Sequence, residues 1–317
     1  MYYGRKKVLI TGGLGHIGSK LIREYSKRED ISLIRILDNF LVQRYCSLFN
    51  LPESKKYEFI EGDIINQNDL EEAMNGIDLV IHLAAITDAP ATLQNKEETL
   101  RVNLEGTKNV IECAIKNKVK KFLFPSTTSV YGEAEGFVDE EYSDNLYKPS
   151  SPYAEAKKIA EKLVLEANGK GIETNVLRLG TIFGTSIGMR FHTAVNKFCY
   201  LAALNKPLTV WDTALNNKRP YLGLDDAISS FMFVEKKGVP GELYNVLTKN
   251  YTVQEMIDKI RKVVPDLKVE ITKSPILNQK SYNVSDKKIR ELGFVPKDNI
   301  EDSVKDTINL FKAIKNP

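Results

Sequence analysis

Lys7-Val8-Leu9-Ile10-Thr11-Gly12-Gly13-Leu14-Gly15-His16-Ile17-Gly18 is an apolar run that breaks into a glycine-rich turn and leads into a helical pattern. The run reads as a strand covered on both faces, because it lacks the alternation of a half-exposed strand. Glycines permit the tight turn and the close approach of a ligand, and the helix that follows offers free N–H groups at its positive end. Together these suit a pyrophosphate. A glycine turn alone is weak evidence. Here the next strand, 32–38, ends in Asp38, twenty residues beyond Gly18. Dinucleotide-binding folds place the carboxylate that takes the ribose hydroxyls at about that distance. The two features in register predict a dinucleotide site, with Gly12, Gly15 and Gly18 on the pyrophosphate and Asp38 on the ribose. A carboxylate there repels a 2′-phosphate, and no Arg sits directly beside it, so NAD is expected over NADP.

Outward from this turn, short β-branched runs at 7–11, 32–38, 57–61, 79–83, 121–126 and 174–178 alternate with helical patterns, the clearest at 17–27, 92–118 and 151–168. Such alternation predicts βαβ units: an α/β fold with a doubly wound parallel sheet and helices on both faces. After Arg178 the rhythm breaks into a helix at 191–204, a strand at 208–211 and helices at 223–234, 252–264 and 303–314. The expected division is a Rossmann domain, 1–178, to which a segment near 221–246 returns. A smaller α/β substrate lobe takes 179–220 and 247–317.

The 317 residues can bury a core without covalent staples. With 45 basic and 42 acidic residues, the net charge of +3 is too even to argue for a nucleic-acid partner. Three cysteines, Cys46, Cys113 and Cys199, match no metal-ligand spacing and are too few for a disulfide scaffold. His16, His82 and His192 are scattered, so no metal is expected. No apolar run approaches the length of a membrane span, and the first residues run into a strand with no apolar leader. A cytoplasmic location is expected.

Tyr153 and Lys157 lie four apart in Pro152-Tyr153-Ala154-Glu155-Ala156-Lys157, hence on one helix face. A tyrosine hydroxyl with a pKa of about 10 is too weakly acidic to serve as a base near neutrality. A nearby ammonium favours the phenolate, so Lys157 has the chemistry to activate Tyr153. Upstream, the strand at 121–126 delivers Ser126-Thr127-Thr128-Ser129 to its C-terminal edge, the edge at which open α/β sheets bind ligands. A hydroxyl there can hold the reacting oxygen of a substrate.

These motifs, with His82-Leu83-Ala84-Ala85, Val102-Asn103-Leu104-Glu105-Gly106-Thr107 and Ser126-Thr127-Thr128-Ser129-Val130-Tyr131-Gly132, resemble the extended short-chain dehydrogenase/reductases. Within them the chain is similar to the NAD-dependent epimerase/dehydratase branch, whose familiar enzymes are the UDP-glucose 4-epimerases. The likeness continues more weakly through Arg219-Pro220-Tyr221-Leu222-Gly223-Leu224-Asp225-Asp226 to Tyr282 and Leu292-Gly293-Phe294.

The resemblance implies Tyr153 as acid/base, Thr127 as the catalytic Ser/Thr, and Lys157 on the nicotinamide ribose, lowering the Tyr153 pKa. It implies Asp63 and Ile64 at the adenine and adds His16, Ile17, Asn39, Leu83, Ala84, Ala85 and Asn103 to the cofactor site. For the sugar nucleotide it implies Thr87, Thr127, Ser129, Thr181, Arg190, Trp211, Arg219 at the diphosphate, and Lys280 as a second cation. It further implies a homodimer paired through the helices at 92–118 and 151–168.

There are departures in the substrate lobe: Thr181 where many 4-epimerases have Asn, Pro220 in place of Asp, and Gly223 in place of His. They leave the sugar and the nucleotide open. The expected function is NAD-dependent 4-epimerisation of a nucleotide-linked sugar. A dehydratase, decarboxylase or reductase on the same scaffold is the rival enzyme, and a non-catalytic NAD-binding regulator is the rival of another class.

Overall fold

The computed structural model describes residues 5–54, 56–88, 92–142, 149–273 and 281–314. In chain order its strands are β1 (Lys6–Thr11), β2 (Ile31–Asp38), β3 (Tyr57–Glu61), β4 (Leu79–His82), β5 (Lys121–Thr127), β6 (Gly136–Val138), β7 (Glu173–Leu179), β8 (Thr181–Phe183), β9 (Leu208–Trp211), β10 (Arg219–Gly223), β11 (Leu243–Val246), β12 (Lys249–Tyr251), β13 (Val269–Thr272) and β14 (Tyr282–Val284). Seven of them form one parallel sheet in the order β11-β7-β5-β4-β1-β2-β3.

Both faces of that sheet are covered. Val8 and Ile10 of β1 point to one side and Leu9 to the other, as a two-residue period requires. On the first side they meet Leu21, Ile22 and Tyr25 of helix His16–Ser26 and Ala227, Ile228 and Phe231 of helix Leu224–Lys237. On the second side the cover is helices Gln67–Met74, Gly106–Lys116 and Pro152–Ala167, through Leu70, Val110, Ala160 and Val164 among others. The chain therefore forms a doubly wound α/β fold. The order reverses between β1 and β4, so a crevice opens at their C-terminal ends.

Strand β11 lies more than 60 residues beyond β7 and pairs with it at the edge of the large sheet, while helix Leu224–Lys237 packs beneath. The helix is pinned to the first one by buried charge: Glu235 accepts from Tyr25 Oη at 2.9 Å and pairs with Arg28. The remaining strands make small sheets, β12-β10-β8, β13-β9 and β14-β6. Helices Ala194–Ala203, Val253–Arg261 and Ile300–Asn309 pack around a separate core that includes Phe183, Val210, Met256 and Val304.

The single long helix expected at 92–118 is interrupted. Helix Lys96–Leu100 passes through a π turn, Arg101–Glu105, before resuming as Gly106–Lys116. The wider turn carries Asn103, whose amide accepts from Ile86 N–H at 2.8 Å and donates to Ile86 C=O at 2.9 Å. Two backbone groups of the segment after β4 are thereby satisfied, a gain that continuous helical pattern in the sequence does not reveal. Among the described residues no helix is long and apolar enough to cross a membrane.

Candidate active site

The turn after β1 is shaped by its glycines. Gly12 has φ of +64°, and a Cβ on it would lie 2.6 Å from the Ala84 backbone. A Cβ on Gly18 would lie 2.5 Å from Gly13 O, so only hydrogen permits helix and turn to meet there. Gly15 is the N-cap of helix His16–Ser26 and has no side chain to occupy the free N–H groups. His82 locks the base of this crevice. Its ring bonds Thr11 Oγ1 at 2.7 Å and Thr107 Oγ1 at 3.0 Å, and burial pushes its pKa down to about 3. It is a neutral strut.

A cleft of about 610 Å³ runs along the C-terminal ends of the strands. At one end stand Asp38, Asn39, Asp63 and Ile64. Asp38 accepts from Leu14 N–H on one oxygen and Phe40 N–H on the other, each at 3.1 Å, which leaves each carboxylate oxygen further acceptor capacity. Burial raises its pKa, opposed by those two bonds and by Arg44. No Arg directly follows Asp38 in the sequence, and Arg44, six places on, lines the same cleft. Arg44 returns to the cleft because the chain turns at Phe40–Gln43, with Phe40 stacked on Tyr45 at 4.1 Å. We therefore expect Asp38→Ala to do more than weaken NAD. With the carboxylate gone and Arg44 left, the NAD-over-NADP preference should fall by at least about tenfold, measured by calorimetric titration with both cofactors. An unchanged preference would remove Asp38 from this role.

At the other end the helix Pro152–Ala167 is started by Ser151, whose Oγ accepts from Ala154 N–H at 3.2 Å, with Pro152 in the first turn. Its register puts Tyr153 on the cleft and Lys157 beneath it. Strand β5 supplies Thr127, whose hydroxyl accepts from Ser129 N–H and donates to Ser129 Oγ, both at 3.1 Å. Thr128 turns away and donates to Leu179 C=O at 3.3 Å. Lys157 is 3% exposed, donates to Pro125 C=O at 2.9 Å and lies 4.3 Å from the centre of the Phe124 ring. Burial lowers it to about 7, opposed by Glu161. Burial also raises the Tyr153 pKa, and the groups that oppose the rise are the Arg190 guanidinium and the Thr127 hydroxyl. Lys157 donates to the Pro125 carbonyl, and Arg190 lines the same cleft as Tyr153.

Of the residues expected at the site, Gly12, Gly15, His16, Ile17, Gly18, Leu83, Ala84, Ala85, Thr87, Ser129, Thr181, Arg190 and Arg219 also line this cleft. Asn103 does not, since its side chain is spent on Ile86. Trp211 lies outside it at the end of β9, 36% exposed. Lys280 falls outside the described residues. Arg44, Ser126, His192, Thr193 and Tyr221 line the cleft without having been expected there. Ser126 belongs to the hydroxyl cluster at the end of β5, while the other four sit in loops or a small strand, where a basic residue a few places after Asp38 was the one signal.

Four side-chain atoms that are buried without a hydrogen-bond partner belong to this cleft: His16 Nε2, Ser126 Oγ, Arg190 Nε and Thr193 Oγ1. Buried polar atoms are normally satisfied, so the cleft is built for polar ligands. Its cationic lining, Arg44, Lys157, Arg190 and Arg219, outnumbers its carboxylates, Asp38 and Asp63. His16 stays neutral, lowered to about 3 by burial first and then by Arg190, Arg44, Lys20 and His192. The glycine cradle, the bare helix N-terminus and the Asp38 carboxylate fit a dinucleotide.

The model of the NAD dependent epimerase/dehydratase family matches residues 8–246. A trifunctional UDP-glucose 4,6-dehydratase/UDP-4-keto-6-deoxy-D-glucose 3,5-epimerase/UDP-4-keto-L-rhamnose-reductase of Arabidopsis thaliana is 30% identical over 98% of this chain. The chain spans 47% of that relative's length. The dTDP-D-glucose 4,6-dehydratase of Bos taurus is 29% identical over 97% of this chain and 89% of its own. Among solved structures, UDP-glucose 4-epimerase from Thermotoga maritima with UDP-glucose superposes with a TM-score of 0.83 at 23% identity. The match covers 96% of this chain and 98% of that one.

Proposed function

The chain belongs to the NAD dependent epimerase/dehydratase family, and from that premise we propose that it is a nucleotide-sugar 4-epimerase with Tyr153 as its acid/base. NAD is its cofactor, and the residues that would hold it are those of the glycine turn, Asp38, Asp63 and Lys157. When bound, NAD supplies the acceptor and donor of hydride at the sugar carbon.

The rest of the chemistry falls to the chain. Tyr153 Oη takes the proton of the sugar 4-hydroxyl and later returns it, so a 4-keto sugar is formed and consumed within the cleft. Thr127, oriented by Ser129, holds the same oxygen through both steps. Arg219, which lines the cleft 4.7 Å from the centre of the Tyr282 ring, takes the diphosphate in this reading.

One observation carries the choice of epimerisation. Dehydration across C5 and C6 needs an acid/base pair beside the 4-keto sugar. Among the described residues the cleft's carboxylates are Asp38 and Asp63, both at the adenosine end, with none beside Tyr153. The positions after Thr127 are Thr128, turned to Leu179, and Ser129. Glu133 and Glu135 are exposed and do not line the cleft. The names of the plant and bovine relatives favour a second reading, a 4,6-dehydratase, and the two readings differ in product. The test is turnover of UDP-, GDP-, CDP- and dTDP-hexoses in deuterated water, with NMR and mass spectrometry of the sugar. We expect a C4 epimer with no carbon-bound deuterium. A 4-keto-6-deoxy product, or deuterium at C5, would overturn the epimerase reading and leave the NAD site intact.

A further inference from the structure

One turn beyond Lys157 the helix Pro152–Ala167 carries a buried charge that the proposed chemistry does not use. Glu161 follows Lys157 by four residues and so lies on the same helix face. Both side chains are buried. In a dry interior a lysine and a glutamate so placed attract each other strongly, yet among the described residues no ion pair joins them. Lys157 donates instead to Pro125 C=O on β5. Both oxygens of Glu161 are taken by Arg178 of β7, from Nε at 2.9 Å and from Nη2 at 2.7 Å. The two strands are neighbours, and Ser126, the residue after Pro125, stands opposite Arg178 in their register. The ammonium and the carboxylate are thus drawn to adjacent strands.

Arg178 is itself fixed. Its Nη1 donates to Tyr131 Oη at 3.1 Å, and its guanidinium lies 5.0 Å from the centre of that ring. Tyr131 Oη lies 2.9 Å from Asn245 Oδ1 of β11, the strand on the far side of β7 from β5. The buried pair therefore has an orientation. Its carboxylate shares a helix face with Lys157, and its guanidinium reaches away toward β11. A buried ion pair contributes little net stability over apolar residues of the same volume, so packing alone does not account for this one. The other groups about Lys157 that can carry charge are Tyr153, on the same helix face, and His82 of β4, which is neutral. Burial lowers Lys157, and Glu161 is the group that opposes it.

Resting on the reading above in which Lys157 serves Tyr153, we infer that Glu161 is a positioning residue for Lys157. It is the counter-charge that keeps the buried ammonium protonated, and Arg178 holds it out of contact so that the ammonium stays on the Pro125 carbonyl. The two halves of one salt bridge then act on Lys157 in opposite directions. A pair that only braced the fold would not do so.

The experiment titrates Lys157 itself, by NMR of the NAD-loaded protein labelled with ¹³Cε-lysine, with the resonance assigned by its absence from Lys157→Met. Turnover is measured in parallel. Glu161→Gln removes the near charge and leaves the far one, so the Lys157 midpoint should fall by about one pH unit or more. Arg178→Met frees the carboxylate, so the midpoint should rise by about as much. Turnover in that variant should drop by on the order of tenfold or more, as the ammonium leaves Pro125 for Glu161. Glu161→Leu combined with Arg178→Met replaces the pair by apolar groups and serves if a single variant does not fold. There the midpoint should fall, because the near charge outweighs the far one.

Midpoints that move in the same direction in the two single variants, or do not move, overturn the inference. So does a double variant with midpoint and turnover unchanged, since the pair would then be packing alone. If the midpoints move as expected while Lys157→Met turns over sugar at the normal rate, the catalytic reading of Lys157 fails and the assignment of Glu161 as its counter-charge stands.

Discussion

Tyr153→Phe is expected to lower turnover by about 10²- to 10⁴-fold while the variant still binds NAD. The substitution keeps the ring that helix Pro152–Ala167 turns toward the cleft and removes only the hydroxyl. His82 is a neutral strut bonded to two threonines, and the carboxylates Asp38 and Asp63 stand at the opposite end. In the ligand-free chain burial holds the Tyr153 pKa above its ordinary value, and Arg190 and Thr127 pull it back. A base with a raised pKa loses its proton only as the pH rises. The rate should therefore climb with pH in the unmodified enzyme, and the residual rate of the Phe variant should lose that dependence. Single-turnover rates across a pH series, with NAD affinity measured in parallel, provide the check. Near-normal turnover by the Phe variant would remove Tyr153 from its role.

Lys157→Met should cost turnover on the order of 10²-fold and should stabilise the ligand-free protein near neutral pH. Burial lowers Lys157 to about 7 in the folded chain, whereas a free lysine titrates near about 10.4. Between those two values the unfolded chain holds a proton that the folded chain has released, so protonation favours unfolding. The penalty is full below about pH 7 and fades as the pH rises toward about 10.4. Methionine fills the space over Phe124 without carrying this penalty. The gain in Tm over the unmodified protein should be greatest at or below about pH 7. It should shrink in alkali, where the neutral amine retains its bond to the Pro125 carbonyl. Thermal unfolding across that range decides the matter. A Met variant less stable at every pH would mean that the bond and the ring contact outweigh the cost of burial.

The two residues differ in how they could be found. Their spacing of four, after a proline-started helix, is local information, and a helix has no choice but to put them on one face. The same holds for the glycine turn and Asp38, since strand, turn and helix follow one another directly. The partners of these residues are another matter. That Lys157 bonds Pro125 and that Arg190 enters the same cleft as Tyr153 depend on how β5 and the segment after β8 are brought over the helix. Asn103 belongs to a motif that resembles a cofactor contact, yet it faces inward because a π turn redirects it to Ile86. Arg44 is six places from Asp38 in sequence and reaches it only through a loop fold that residue spacing does not specify.

By itself, the sequence determined the doubly wound sheet, the cofactor class and the placing of Tyr153 and Lys157 on one helix face, because each rests on hydrophobic period or on neighbours within a few residues. Only the tertiary structure decided that β11 closes the edge of the large sheet beside β7. It alone decided that, among the described residues, the cleft's carboxylates are Asp38 and Asp63, and that Arg190 lines the same cleft as Tyr153. These are properties of segments far apart in the chain. Their meeting depends on the burial of whole helices and on which loops the small lobe lays across the strand ends, and no local pattern of residues encodes the charge left between them.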